Sequence, residues 1–206
     1  MNIIDELRQK PWTAEQILID DVHEGSSYML PKSKLGLRVL LTSITVFLSL
    51  FVIAYSDRML IPDWRPLPEP WLLWLNTLVL ILSSVAMQKG LNAARKGQTE
   101  RVKISLLASG GFAFLFLLGQ VFVWQQLVNL GYFAAANPAN AFFYLLTAVH
   151  GVHLLGGLVA WGRVVTRIGG GQTDSVKLGS SMELCTIYWH FLLVVWVVFF
   201  ILLLFT

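Results

Sequence analysis

Five stretches of this chain are long and apolar enough to cross a lipid bilayer, and that limits what it can fold into. A spanning helix needs about 20 mostly apolar residues. Residues 35–55, 71–87, 104–130, 141–165 and 182–205 each offer such a run. In hydrocarbon every backbone N–H and C=O must be satisfied inside the protein, so only helices and closed barrels cross. None of the five stretches alternates polar with apolar residues as barrel strands do. The fold class is therefore all-α, an integral membrane bundle of five transmembrane helices. Composition agrees: 56% of the 206 residues are hydrophobic and only 13% are charged, against about a quarter charged in soluble domains.

The direction of threading follows from the basic residues, which gather on the cytoplasmic side of membrane proteins. Arg8, Lys10, Lys32, Lys34 and Arg38 precede or open the first span. Lys89, Arg95, Lys96, Arg101 and Lys103 flank the second link, and Arg163, Arg167 and Lys177 flank the fourth. Only Arg58 and Arg65 fall on the other side. The N-terminus is thus expected in the cytoplasm and the C-terminus on the far side of the membrane, which in a bacterial inner membrane is the periplasm. The same distribution accounts for the net charge of +3 without a nucleic-acid partner, because the cations sit in short links between apolar runs.

Residues 1–34 read as a cytoplasmic arm, and 35–206 as the membrane domain. The arm carries Asp5, Glu6, Asp20 and Asp21 and no apolar core of a signal peptide. Thr13-Ala14-Glu15-Gln16 has capping-box form, which predicts a short surface helix. "RKGQTERVK" reads as a plain polar loop. The glycine run near Gly169 follows a helix instead of opening one, so it does not read as a phosphate cradle. Cys185, the single cysteine, lies in an apolar run and reads as a small core residue.

Ionisable side chains at membrane depth are the first functional candidates. Here they are His150, His153, Glu183 and His190. Three-residue spacing puts His150 and His153 on one face of the fourth helix. A bridged metal pair would need more carboxylates than this one acid, and His-x-x-His alone gives two ligands. His153 and His190 lie at similar depth on neighbouring spans, the geometry that an axially ligated haem would require. A transporter reading fits poorly, since no span is broken at mid-depth and no repeat is visible. The reading most consistent with Gly151, Gly156 and Gly157 beside the histidines is close helix packing with hydrogen bonds between helices.

Two longer patterns now add to this. Thr147-Ala148-Val149-His150-Gly151-Val152-His153 followed by Gly157 matches T-x-x-H-G-x-H-x-x-x-G. Glu183, Tyr188-Trp189-His190-Phe191 and Val194-Val195-Trp196 match E-x-x-x-x-Y-W-H-F-x-x-V-V-W. Weaker matches are Leu35-Gly36, Ser43, Tyr55, Arg58, Asn76-Thr77, Ser83-Ser84, Gly119, Phe122 and Gln126. From about residue 35 onward the chain resembles subunit III of the haem–copper oxidases, in a five-helix form lacking the first two helices of longer relatives.

The resemblance implies a non-catalytic subunit with no metal or cofactor of its own. Haem and copper are expected in partner subunits. The implied partners are oxidase subunit I, the other oxidase subunits and membrane lipids, with Arg58, Trp74 and Arg163 as lipid contacts. It also implies a supporting role in proton uptake and turnover, with His150, Gly151, His153, Gly157, Glu183, Trp189, His190 and Trp196 as packing residues. A quinol oxidase or nitric-oxide-reductase accessory subunit carries the same pattern, while a b-type cytochrome remains the rival of another class. Three acids usual in the family are absent, where this chain has Ile44, Asn129 and Leu193. A proton route through the subunit's own carboxylates is therefore not implied. Reporter tags after Met1 and after Thr206 should lie on opposite sides of the membrane, the first cytoplasmic; protease protection in oriented vesicles measures this.

Overall fold

The computed structural model describes residues 32–68, 70–169 and 175–205. They form α1 (Lys32–Arg58), α2 (Leu72–Arg95), α3 (Thr99–Asn129), α4 (Pro138–Gly169) and α5 (Ser175–Leu204). All five are long and apolar enough to span a membrane, and no strand occurs among the described residues. The surface helix expected after Thr13 lies outside them. Most of the helices outrun their apolar stretches. α2 continues to Arg95 through Gln88, Lys89, Ala93 and Ala94, good helix formers that extend a helix already held by packing, and α5 starts at Ser175.

Glycine makes two of the links short. α2 ends in a Schellman motif, with Gly97 at φ +68° and its N–H donating to the Ala94 carbonyl, while Gln98 N–H reaches the Ala93 carbonyl. α3 ends the same way: Gly131 at φ +88° donates to Val128 and Tyr132 to Leu127. This left-handed conformation is costly for any residue with a Cβ. The stretch read as a long polar loop between the second and third spans is therefore only residues 96–98. α4 is started by Asn137, whose Oδ1 accepts from Ala139 N–H at 3.2 Å, with Pro138 at the first helical position, where its missing N–H is harmless. The Asn137 amide also donates to the Arg65 carbonyl at 2.6 Å, tying this link to the one between α1 and α2.

α2 packs against α3 and α5, and α4 against the same two, so the four close into a ring around one apolar core. α1 lies against one side of it. Its Ile44, Leu48 and Tyr55 join Leu146 of α4 and Phe199 of α5 in a second cluster. Tyr55 stacks edge-on to Trp64 and Phe142, at 5.0 and 5.4 Å. Only 11% of the apolar stretch of α1 is buried, against 39% to 44% in the other helices. Most of α1 faces whatever surrounds the chain. Its hydroxyls do not break it, because Thr42, Ser43, Thr45, Ser49 and Ser56 each donate to the carbonyl four residues back.

The ring depends on close approach at particular glycines. A Cβ on Gly110 of α3 would collide with the Trp161 indole of α4, whereas one on Gly111 would meet nothing within 4 Å. Gly110→Ala should therefore lower stability by about 1–3 kcal/mol through overpacking, and Gly111→Ala should change it by less than about 0.5 kcal/mol. Thermal unfolding in mild detergent compares the two.

Candidate functional site

α2 carries polar residues at seven-residue spacing, Asn76 with Ser83 and Thr77 with Ser84, which lines them up on the helix side facing its neighbours. α5 answers with Trp189, His190 and Trp196. The Trp189 indole donates to Ser83 Oγ at 2.8 Å, and Ser83 Oγ in turn donates to the Ser109 carbonyl of α3 at 2.7 Å. One hydroxyl thus joins three helices. The Trp196 indole donates to Thr77 Oγ1 at 3.0 Å.

His190 sits between Ser84 Oγ, 2.6 Å from Nδ1, and Gln88 Oε1, 2.9 Å from Nε2. The Gln88 carbonyl can only accept, so Nε2 carries the proton and Nδ1 accepts from Ser84. Gln88 Nε2 then donates to Asn92 Oδ1 at 3.2 Å. The result is a directed chain of hydrogen bonds along α2 with His190 as its one contribution from α5. Sequence reading placed Ser84 only as a weak motif match and missed Gln88. The polar spacing along α2 was the available signal.

The other histidines behave differently. His153 Nδ1–H donates to the Val149 carbonyl of its own helix at 2.8 Å. Its backbone carbonyl accepts the Tyr188 hydroxyl of α5 at 2.9 Å, which places His153 and the Tyr188–His190 turn at matched depth. His150 is 1% exposed, and neither ring nitrogen has a hydrogen-bond partner. Its imidazole lies among Phe116, Trp196 and Phe199, with ring centres 5.8, 5.2 and 6.5 Å away. The two lie about 60° apart on one side of α4, His150 entering the ring's core and His153 lining a groove beside α1. The axial pair that a haem would need is not assembled, because His190 turns to α2 and both its nitrogens are engaged there.

Of the two motif glycines, only Gly157 is sterically required. A Cβ there would come within 2.9 Å of Tyr188 Cε1, while one on Gly151 would make an ordinary 3.8 Å contact with Leu117. Glu183, expected at the very start of the last helix, is partly buried and about two turns in from Ser175. Nearby, Arg167 donates to Ser181 Oγ at 3.3 Å, while Arg163 is exposed.

At the opposite end of the ring, Arg58 grips Asp63 through two bonds of 2.7 and 2.6 Å. The guanidinium holds the Asp63 carboxyl below its ordinary value of 3.8, so the clamp is fully present above that pH and opens only as pH falls below it. Trp74 is half-exposed and rests edge-on against Phe200 at 4.8 Å. Trp161 donates its indole N–H to the Leu106 carbonyl of α3 at 2.8 Å. Gln126 and Phe122 of the weaker match face out of the ring, and the buried amide is Gln120, 3.4 Å from Asn76.

This arrangement binds helices to one another. Among the described residues, no three His, Cys, Asp or Glu side chains gather as metal ligands would. The family model for cytochrome c oxidase subunit III matches residues 15–206. The chain belongs to that family. A probable cytochrome c oxidase subunit 3 of Mycobacterium tuberculosis is 30% identical over 158 residues, covering 75% of this chain and 77% of the relative. The cytochrome c oxidase subunit 3 of a Synechocystis species is 32% identical over 161 residues, 76% of this chain and 68% of the relative. That of Thermostichus vulcanus is 29% identical over 191 residues, 91% and 92% of the two chains. As a subunit III with five spanning helices, the chain is a multi-pass protein of the bacterial inner membrane and one component of an oxidase complex.

Within this subunit III, His190 and His153 should differ in what they hold. His190→Leu removes both bonds to α2 and should cost about 1–2 kcal/mol, taking buried interhelical bonds at ~0.6 kcal/mol and at most about 1.7 kcal/mol. His153→Leu removes only a bond within α4 and should cost less than half as much. Unfolding of each variant in lipid–detergent micelles, with Ser84→Ala combined with His190→Leu, checks whether the pairing across α2 and α5 is the cause.

Proposed function

We propose that this chain is the non-catalytic subunit III of a haem–copper terminal oxidase, packed on subunit I, holding lipid and supporting steady proton uptake and turnover. The observation that carries the reading is where the interior polar groups are spent. Trp189, Trp196, Tyr188 and His190 all bond to a different helix, so the motif serves the scaffold. His150, His153, Gly151, Gly157 and Glu183 serve the same scaffold as packing residues, without that shared bonding. Redox chemistry, with haem and copper, belongs to the partner subunits, and the names of the relatives favour cytochrome c as the donor.

Lipid is held in a groove of about 640 Å³ between α1, α4 and α5, where Gly156, Ala160 and Leu40 give an apolar wall and Arg163 and Arg167 stand near one end. Trp74 contributes an exposed ring near the far end of α2. Arg58 is committed to Asp63 and serves the α1–α2 link first. Where the family's acid is absent from α1, Ile44 is buried beside Leu146 and Phe199. The support given to proton uptake is therefore mechanical, by keeping subunit I and its lipids in place.

The oxidase purified with and without this chain separates these roles. Haem content and initial turnover should match, while the preparation lacking the chain should lose activity faster during sustained turnover. The isolated chain should show no Soret band. A Soret band stoichiometric with the isolated chain would overturn the reading and restore the b-type cytochrome.

A further inference from the structure

Where α2 turns into α3, a recess of about 310 Å³ is lined by Lys89, Asn92, Lys96, Gln98, Arg101 and Ser105. Its shape follows from the sequence. Lys89 and Asn92 share one side of α2, and Lys96, just past its end, continues that side. The Schellman turn at Gly97 then brings Arg101 of α3 alongside them. Three cations share this recess. The acid next to it in sequence, Glu100, is engaged by Lys103 at 2.8 Å. Like charges held together repel, and an anion seated among them would relieve the repulsion.

Hydrogen bonding in the recess points the same way. Gln88 occupies the Asn92 carbonyl oxygen, so Asn92 turns its NH₂ donors to other partners. Gln98 and Ser105 add an amide and a hydroxyl. Donors and positive charge suit phosphate oxygens.

The seam below the recess decides the source of that phosphate. On α2 the side bearing Lys89 continues as Val85, Leu82 and Leu78, all exposed. On α3 the side bearing Arg101 continues as exposed Ile104, then Gly111, where a side chain would meet nothing, then exposed Leu115. A charged head above a long apolar track is the outline of a phospholipid rather than of a soluble anion. Basic pockets between spanning helices are where anionic headgroups bind.

We infer that the α2–α3 hairpin seats the phosphate headgroup of an anionic phospholipid, with its acyl chains along the outer α2–α3 seam. This rests only on the membrane-spanning ring. It is separate from the α1–α4–α5 groove and stands whichever electron donor the oxidase uses.

The test uses the oxidase complex purified in mild detergent, depleted of lipid and reloaded with phosphatidylglycerol or phosphatidylcholine before native mass spectrometry. Neutralising the recess (Lys89→Gln with Lys96→Gln and Arg101→Gln) should remove a single bound phosphatidylglycerol. Removing the same charge elsewhere (Arg38→Gln with Arg65→Gln and Arg95→Gln) should leave it in place. Each neutralised recess cation should weaken capture about fivefold. Lys96→Gln alone, which lies in the link outside both helices, reads that fivefold step if the triple variant does not assemble. Loss in both triple variants would mean a diffuse basic surface and overturn the site, as would loss in neither. Equal retention of phosphatidylcholine, or displacement of the lipid by millimolar inorganic phosphate, would also overturn it. Because the readout is lipid mass on an intact complex, these failures leave the subunit III reading untouched.

Discussion

An indole or imidazole N–H inside a bilayer has no water to turn to, and this bundle is organised around that constraint. Trp189 and Trp196 reach α2, Trp161 reaches α3, and Trp124 donates to Thr147 of α4 at 3.1 Å. Each bond is worth about 0.6 kcal/mol, since helices apart in lipid find other partners too. Losing one acceptor costs more, on the order of 1–3 kcal/mol, because the donor is left buried and bare. The bonds therefore do little to drive helices together and much to decide which faces meet. Dispersion among close-packed side chains supplies the adhesion, and glycines such as Gly110 and Gly157 set the spacing at which those bonds can form.

Among the described residues Trp64, in the α1–α2 link, and His150 are the exceptions. His150 is enclosed by Phe116, Trp196 and Phe199 instead of by oxygen acceptors, and an N–H aimed at an aromatic face recovers only part of a conventional bond. Its neighbour in the motif, His153, is satisfied within its own helix. Two residues that look alike in the sequence are thus held by different physics, one by π-faces and one by a carbonyl.

The five spans were legible because hydropathy at this length has few other solutions, and the extra turns at α2 and α5 were not, because packing carries helices past their apolar ends. Of the site, the text of the chain exposed His150, His153, Glu183 and His190 as polar groups in apolar surroundings. It could not reveal that His190 faces Ser84 and Gln88, since a partner on another helix depends on rotation about two axes. The same holds for Trp161, whose indole reaches the Leu106 carbonyl of α3. Gln120 was passed over for Gln126 because motif spacing does not report burial.

The glycine-closed link between α2 and α3 has a consequence for how the protein is made. Residues 96–98 are too few for the two helices to wander apart once both have left the ribosome, so the entropy lost in pairing them is small. They should enter the bilayer as a preassembled hairpin and serve as the template on which α4 and α5 dock. α1 emerges before that hairpin yet has little of itself buried, and it is joined to it through the longer stretch 59–71. Order of emergence and order of assembly are therefore reversed for α1, which waits in lipid for a ring that later helices complete.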